Sequence, residues 1–152
     1  MEPIVSFVNY KFKIYDNSHL KKDFKHRRNI KLYLLELTFK DTGEQIHKFG
    51  VTSHFDVVKR MEKSEKNPEY EMFIQPVKAL ASAYLPVDEA LEQEKYFQNH
   101  YKKNIYIRDP YKFGGVSETL FLFPKDRRDS IIKIMNLHRE YKAKRLNLLE
   151  VK

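Results

Sequence analysis

The chain contains no cysteine. That absence removes disulfides, thiolate zinc sites and cysteine nucleophiles together, and a chain without thiol chemistry is expected in a reducing compartment. Tryptophan is also missing, so the 14 % aromatic content is carried entirely by Tyr and Phe. No stretch approaches the ~18 consecutive apolar residues of a membrane span. The start, Met1-Glu2-Pro3-Ile4, lacks the basic region and apolar core of a secretory signal. These absences lead to an expectation of a cytoplasmic protein with no membrane partner. No helical i, i+4 histidine pair occurs among His19, His26, His54, His100 and His138, so a zinc-type ligand spacing is missing too. There is no internal repeat, low-complexity run or linker that would divide the chain.

Hydrophobic residues make up 41 % of the 152-residue sequence, enough for one domain with a real core spanning 1–152. The formal net charge is +8. Such a field attracts polyanions and makes their binding steeply salt-dependent, so nucleic acid leads the partner classes.

Along the chain, Val8, Tyr10, Phe12 and Ile14 alternate with polar residues and predict an N-terminal strand. Asp16-Asn17-Ser18 offers helix-capping side chains before a short basic helix or turn over residues 19–28. Within it Lys21, Lys22, Arg27 and Arg28 are candidate nucleic-acid contacts. Leu32 to Phe39 reads as a strand, Asp41-Thr42-Gly43-Glu44 as its turn, and Gln45 to Val51 as the antiparallel return. A helix is expected from Thr52 or Ser53 to Asn67-Pro68, with Lys59, Arg60 and Lys63 on its polar side. Met72 to Ala83 reads as a third strand, with Pro76 marking a bulge or an edge.

Pro86-Val87-Asp88-Glu89 places proline and acids where a helix start favours them. Ala90, Leu91, Glu94, Phe97 and Tyr101 then run down one face. A carboxylate on that stripe, Glu94, must be paired or bound to a cation once it is desolvated. Residues 104–113 read as a loop, Gly114-Gly115 as a flexible joint, and Ser117 to Phe123 as a short strand or buried segment. Pro124 to Leu149 predicts a long basic helix with Ile131, Ile134, Met135, His138 and Tyr141 on its apolar side.

The hairpin presents Tyr33 and Lys48 on neighbouring strands and feeds the helix carrying Arg60. These are the types that attack on a phosphodiester needs: a proton acceptor, a charge stabiliser and a phosphate clamp. Glu94 is the candidate carboxylate for a metal. His47 adjoins Lys48, but a regular strand points it to the opposite face, so it is an auxiliary candidate only.

The order of Leu32-Tyr33-Leu34, Lys48-Phe49-Gly50-Val51-Thr52, Arg60, Glu94-Lys95-Tyr96-Phe97 and Gly115-Val116-Ser117-Glu118-Thr119-Leu120-Phe121 resembles the GIY-YIG nuclease superfamily. It is most similar to the phage-associated branch whose second motif reads Lys-Ile-Gly. The resemblance covers residues 31–123, leaving 1–30 as an N-terminal strand with a basic extension and 124–152 as an added C-terminal helix. It departs from the family in keeping only the tyrosine of the first motif and in replacing the second tyrosine by Lys48. It implies an α/β fold with a central three-stranded antiparallel sheet flanked by helices, and metal-dependent DNA endonuclease activity. Glu94 would then hold Mg²⁺ or Mn²⁺, with Glu92 the competing choice. Tyr33 would activate or orient water, Lys48 would assist the phenol or the phosphate, and Arg60 would clamp phosphate oxygens. Glu118 would support the site as a second auxiliary residue.

Two other readings stand beside this one. The scaffold could serve as a catalytically silent DNA-binding module, or the basic surface could grip an acidic protein partner, as a phage-type accessory or inhibitor protein would. No residue here reads a 2′-hydroxyl, so RNA stays open as a substrate.

Overall fold

The computed structural model describes residues 16–53, 72–74, 76–101 and 119–150. The expected N-terminal strand, the helix carrying Lys59, Arg60 and Lys63, the loop over 104–113, the Gly114-Gly115 joint and Glu118 lie outside the described residues. A 3-10 helix, Ser18–Phe24, comes first. It is followed by strands β1 (Asn29–Thr38), β2 (Gln45–Thr52) and β3 (Lys78–Pro86), helix α1 (Val87–His100), the two-residue strand β4 (Thr119–Leu120) and helix α2 (Pro124–Glu150). The chain is thus α/β, with three long antiparallel strands and helices. Among the described residues no helix is long and apolar enough to cross a membrane.

The sheet order is β3-β1-β2-β4, and every pairing is antiparallel. β1 lies in the interior because its sequence suits nothing else. From Leu32 to Leu37 every side chain is buried, which requires cover on both faces. The β1–β2 turn closes with the Phe39 N–H donating to the Glu44 carbonyl at 2.9 Å, while the Gly43 N–H donates to the Phe39 carbonyl. Gly43 takes φ +73°, a left-handed conformation that a side chain would disfavour.

On one face of the sheet Ile30, Leu32 and Leu34 of β1 meet Phe49 of β2 and Ala83 and Leu85 of β3. The helices cover this face through Ala90 and Phe97 of α1 and Ile134 of α2. The Phe49 and Phe97 rings stack with centroids 4.6 Å apart. The other face carries Tyr33, Leu35, Leu37 and Ile46, packed with Phe39, Phe73 and Val77.

Three expectations need correction. The regular third strand runs from Lys78 to Pro86, later than the pattern indicates; Phe73 forms only an isolated bridge to Phe39. Pro76 has no N–H to give a ladder, and regular pairing starts after it. The irregularity sits at Leu80, the residue left over when Leu34 pairs with Ala81 and Leu35 with Ala79. Second, the sheet has four strands where three were expected: the short strand read near Leu120 is Thr119–Leu120, and it joins the edge by pairing His47 with Leu120 and Lys48 with Thr119. Third, Met135 is 43 % exposed, because the buried stripe of α2 centres on Ile134 with Ser130 and Leu137 beside it. Met135 lies about 100° round from Ile134.

Helix α2 bonds to both β3 and β1. The Tyr84 N–H donates to His138 Nδ1 at 3.1 Å, and the Tyr141 hydroxyl donates to Asn29 Oδ1 at 3.0 Å. An edge whose N–H is occupied by a helix side chain is a poor template for a foreign strand.

Candidate functional site

The hairpin register pairs Tyr33 with Gly50 and Leu35 with Lys48. Side chains opposite one another share a face, so Tyr33 and Lys48 are diagonal neighbours on the same surface. Tyr33 is 5 % exposed and Lys48 is half-buried. Gly50 is what permits the arrangement. A Cβ built at Gly50 would overlap the ring and hydroxyl of Tyr33, so the phenol lies directly on the β2 backbone. Glycine weakens a strand interior, and here it admits close approach of an aromatic ring.

Glu94 comes from α1, on a buried stripe with Ala90, Leu91, Phe97 and Gln98. It is 2 % exposed, and its Oε1 accepts a hydrogen bond from Asn17 Nδ2 at 2.9 Å. The same amide donates to the Leu91 carbonyl at 2.8 Å. The sequence marks Asn17 as a cap for the helix that follows it; no cap bond forms, and its amide fastens the basic 3-10 helix to α1 instead. Glu92 points outward and is exposed, so Glu94 is the acid of this helix that faces the interior. Gln98 Nε2 donates to the Phe49 carbonyl at 3.2 Å, which locks the helix over β2.

The structure therefore brings Tyr33 and Lys48 together on one face. Glu94 rides on a helix packed against the other face, near the β2 side of the sheet. Arg60 and Glu118 lie outside the described residues, as do Lys59 and Lys63. Lys21, Lys22, Arg27 and Arg28 surround one surface cleft with the start of α1. Among the described residues no cluster of three or more His, Asp or Glu side chains is arranged to hold a metal ion.

His47 points away from Tyr33 and Lys48, as strand alternation requires, and joins a buried network that the sequence alone does not reveal. Its Nε2 lies 3.1 Å from Glu36 Oε2, and Arg127 Nη1 donates to the same oxygen at 3.0 Å. Gln45 Nε2 donates to Glu36 Oε1 at 3.2 Å. Because the Leu122 N–H donates to His47 Nδ1 at 3.3 Å, that nitrogen must be unprotonated and Nε2 carries the hydrogen. The ring is a neutral bridge joining β1, β2, the segment after β4 and α2. The available signal was Glu36 itself, a charge inside a run of buried leucines; counting equally from the turn along both strands places it opposite His47.

Burial holds the His47 pKa below the ordinary histidine value, with Arg127 acting the same way and the Glu36 hydrogen bond opposing them less strongly. His138, accepting from Tyr84, is lowered by desolvation and then by Lys31 and Lys142.

Comparisons of the chain with known family models, curated proteins and solved structures give no match.

Two outcomes follow from this geometry. Gly50→Ala should destabilise the fold by about 1–3 kcal/mol, the usual range for overpacking a filled site. In a chemical-denaturation cycle with Tyr33→Ala, most of that loss should disappear in the double variant, because the ring that meets the new methyl is gone. Additive losses would mean that Tyr33 does not occupy the Gly50 backbone. The lowered histidines fix the sign of an acid effect. The unfolded state takes up protons near pH ~6.5 while the folded state resists, so stability is full above that value and falls as pH drops toward the folded pKa values. The slope of unfolding free energy between about pH 6.5 and 5.5 should shrink in His47→Gln and shrink further when His138→Gln is added.

Proposed function

We propose that this chain is a metal-dependent endonuclease that hydrolyses phosphodiester bonds in DNA. The observation that carries the reading is the seat of Tyr33 on Gly50 with Lys48 diagonal to it. Gly50 lets the phenol lie on bare backbone beside a lysine, a position that suits a proton acceptor. The order of elements, a hairpin, an antiparallel third strand and a helix with one inward carboxylate, supports the reading because it is the order in which the resemblance expects them. The net charge of +8 suits a polyanionic substrate.

Among the described residues the metal ligand on offer is one carboxylate, Glu94, and it lies on the helix-covered face of the sheet, opposite Tyr33 and Lys48. Mg²⁺ prefers hard oxygen ligands and is commonly held by one or two carboxylates, with water and substrate phosphate completing its shell. Glu94 offers one such carboxylate, already oriented by Asn17. When bound, the ion would supply polarisation of the scissile phosphate. The remaining work falls to the protein. Tyr33, as the phenolate held by Lys48, would take the proton of the water that attacks phosphorus; as the new P–O bond forms, the bond to the leaving sugar oxygen breaks and that oxygen takes a proton from solvent. Arg60 would grip phosphate oxygens bidentately. A single site of this kind nicks one strand, and a double-strand cut would need two copies of the chain.

Incubation of supercoiled plasmid with Mg²⁺ or Mn²⁺ tests the proposal. Wild type should nick the plasmid. EDTA should abolish nicking, Glu94→Gln should lower it at least ~100-fold, and Tyr33→Phe should cost roughly 10²–10⁴-fold. DNA binding should survive both substitutions. Intact DNA binding with no cleavage by wild type would reject the enzyme and leave a silent nucleic-acid-binding module.

A further inference from the structure

A cleft of 630 Å³ opens between the 3-10 helix and the corner where β3 passes into α1. Its floor is apolar, made by Phe24, Pro86 and Val87, and its rim carries Lys21, Lys22, Lys25, Arg27 and Arg28. Two backbone contacts shape it. The Arg27 N–H donates to the Phe24 carbonyl at 2.9 Å, turning the chain sharply after the 3-10 helix, and the Val87 N–H donates to the Arg28 carbonyl at 3.2 Å, holding that turn against the start of α1.

The charge at the rim is largely uncompensated. Asp88 is the one acid lining the cleft, and it pairs with Lys21 at 3.3 Å. Among the described residues no acid pairs with Lys22, Lys25, Arg27 or Arg28. Lys22, Lys25, Arg27 and Arg28 are exposed around this cleft, and their combined positive field favours an anion there. The N-terminus of α1 is not the attraction, because Asp88 and Glu89 already occupy its first turn. The cavity size is that of a small-molecule or single-nucleotide site. It is too small to admit a duplex, whereas one nucleotide could set its base on the apolar floor and its phosphate on the rim.

We infer that this cleft binds one unpaired nucleotide of a nucleic-acid strand, its phosphate held by Arg27, Arg28, Lys22 and Lys25 and its base resting on Phe24, Pro86 and Val87. The inference rests on the nucleic-acid substrate proposed above and adds to it a second contact, outside the Tyr33 and Glu94 residues, with a preference for unpaired strand. Asn17 gives the cleft a route to the carboxylate, since it immediately precedes the 3-10 helix and bonds Glu94 directly.

The test is fluorescence anisotropy with a labelled unpaired DNA oligonucleotide and its duplex, in EDTA so that no cleavage intervenes. Arg27→Ala/Arg28→Ala should weaken unpaired-strand binding by about tenfold or more and flatten the plot of log affinity against log salt by up to roughly 0.7, the change expected when one phosphate is no longer neutralised. Lys142→Ala/Lys144→Ala, which removes the same charge from the exposed side of α2, should have a clearly smaller effect. AMP should displace the oligonucleotide at lower concentration than inorganic phosphate, because only AMP fills the floor. Equal losses from the two double variants would reduce the effect to overall charge and overturn the site; equal potency of AMP and phosphate would overturn the base contact. The two readings separate cleanly. Plasmid nicking with unchanged binding in Arg27→Ala/Arg28→Ala overturns the cleft alone, whereas selective loss of binding in that variant without nicking by wild type overturns the nuclease alone.

Discussion

The pairing of β1 with a neighbour on each edge, and its burial on both faces, governs the positions of Tyr33, Lys48, Glu36 and His47. Because side chains alternate along a strand, one register places Tyr33 over Gly50 and Lys48 beside it while sending Glu36 and His47 to the opposite face. A slip of one residue would exchange the two sets, sending Glu36 into the apolar cluster around Phe39 and Phe73 and away from Arg127. Such a slip is opposed at three points: the Gly43 turn, the ring of Tyr33 that fits only above glycine, and the Glu36–His47–Arg127 network, which needs its acid and histidine directly opposite. The network is costly in principle, since it removes a carboxylate from water. With Gln45, His47 and Arg127 all bonded to Glu36, that carboxylate is well satisfied, and the result is specificity of pairing rather than a large net gain in stability.

The second organising contact is Asn17. One amide group bonds both the backbone of α1 and the carboxylate of Glu94, so the basic 3-10 helix and the acidic candidate ligand are parts of one assembly. This couples the two halves of the functional proposal. The cations that would hold a nucleic-acid strand are on a segment whose first anchor is the residue that orients the carboxylate. A strand lying in the cleft would therefore bear on a segment tied to the same carboxylate.

Much of this was legible in the sequence where a single signal was strong. The hairpin could be read from leucine-rich strands about an Asp-Thr-Gly turn, and α1 from Pro86 and its acids followed by a regular apolar stripe. The inward position of Glu94 followed from that stripe. Features that depend on several elements meeting were harder to see. Pro76 announced an interruption but not that the strand would start only after it; the two-residue β4 pairs for too short a distance to have a periodicity; and Met135 sits just beside a stripe whose centre depends on where α2 meets β3. The hairpin register could pair Glu36 with His47, but Arg127, the third member of the network, comes from a helix ninety-one residues away. Asn17 looked like a local cap, and its actual bonds span more than seventy residues. Of the candidate site, Tyr33, Lys48 and Glu94 are placed, and the contribution of Arg60 rests on the sequence.

The central claim is that Tyr33 and Glu94 serve one metal-dependent site although their elements pack on different faces of the sheet. The most direct measurement is ¹⁹F NMR of protein labelled with 3-fluorotyrosine, the Tyr33 resonance being assigned by its loss in Tyr33→Phe, titrated with paramagnetic Mn²⁺ in the presence of a short oligonucleotide. The account predicts that the Tyr33 signal broadens before those of distant tyrosines, and that Glu94→Gln removes this selective broadening. A Tyr33 signal that stays sharp while Mn²⁺ binds at Glu94 would contradict it.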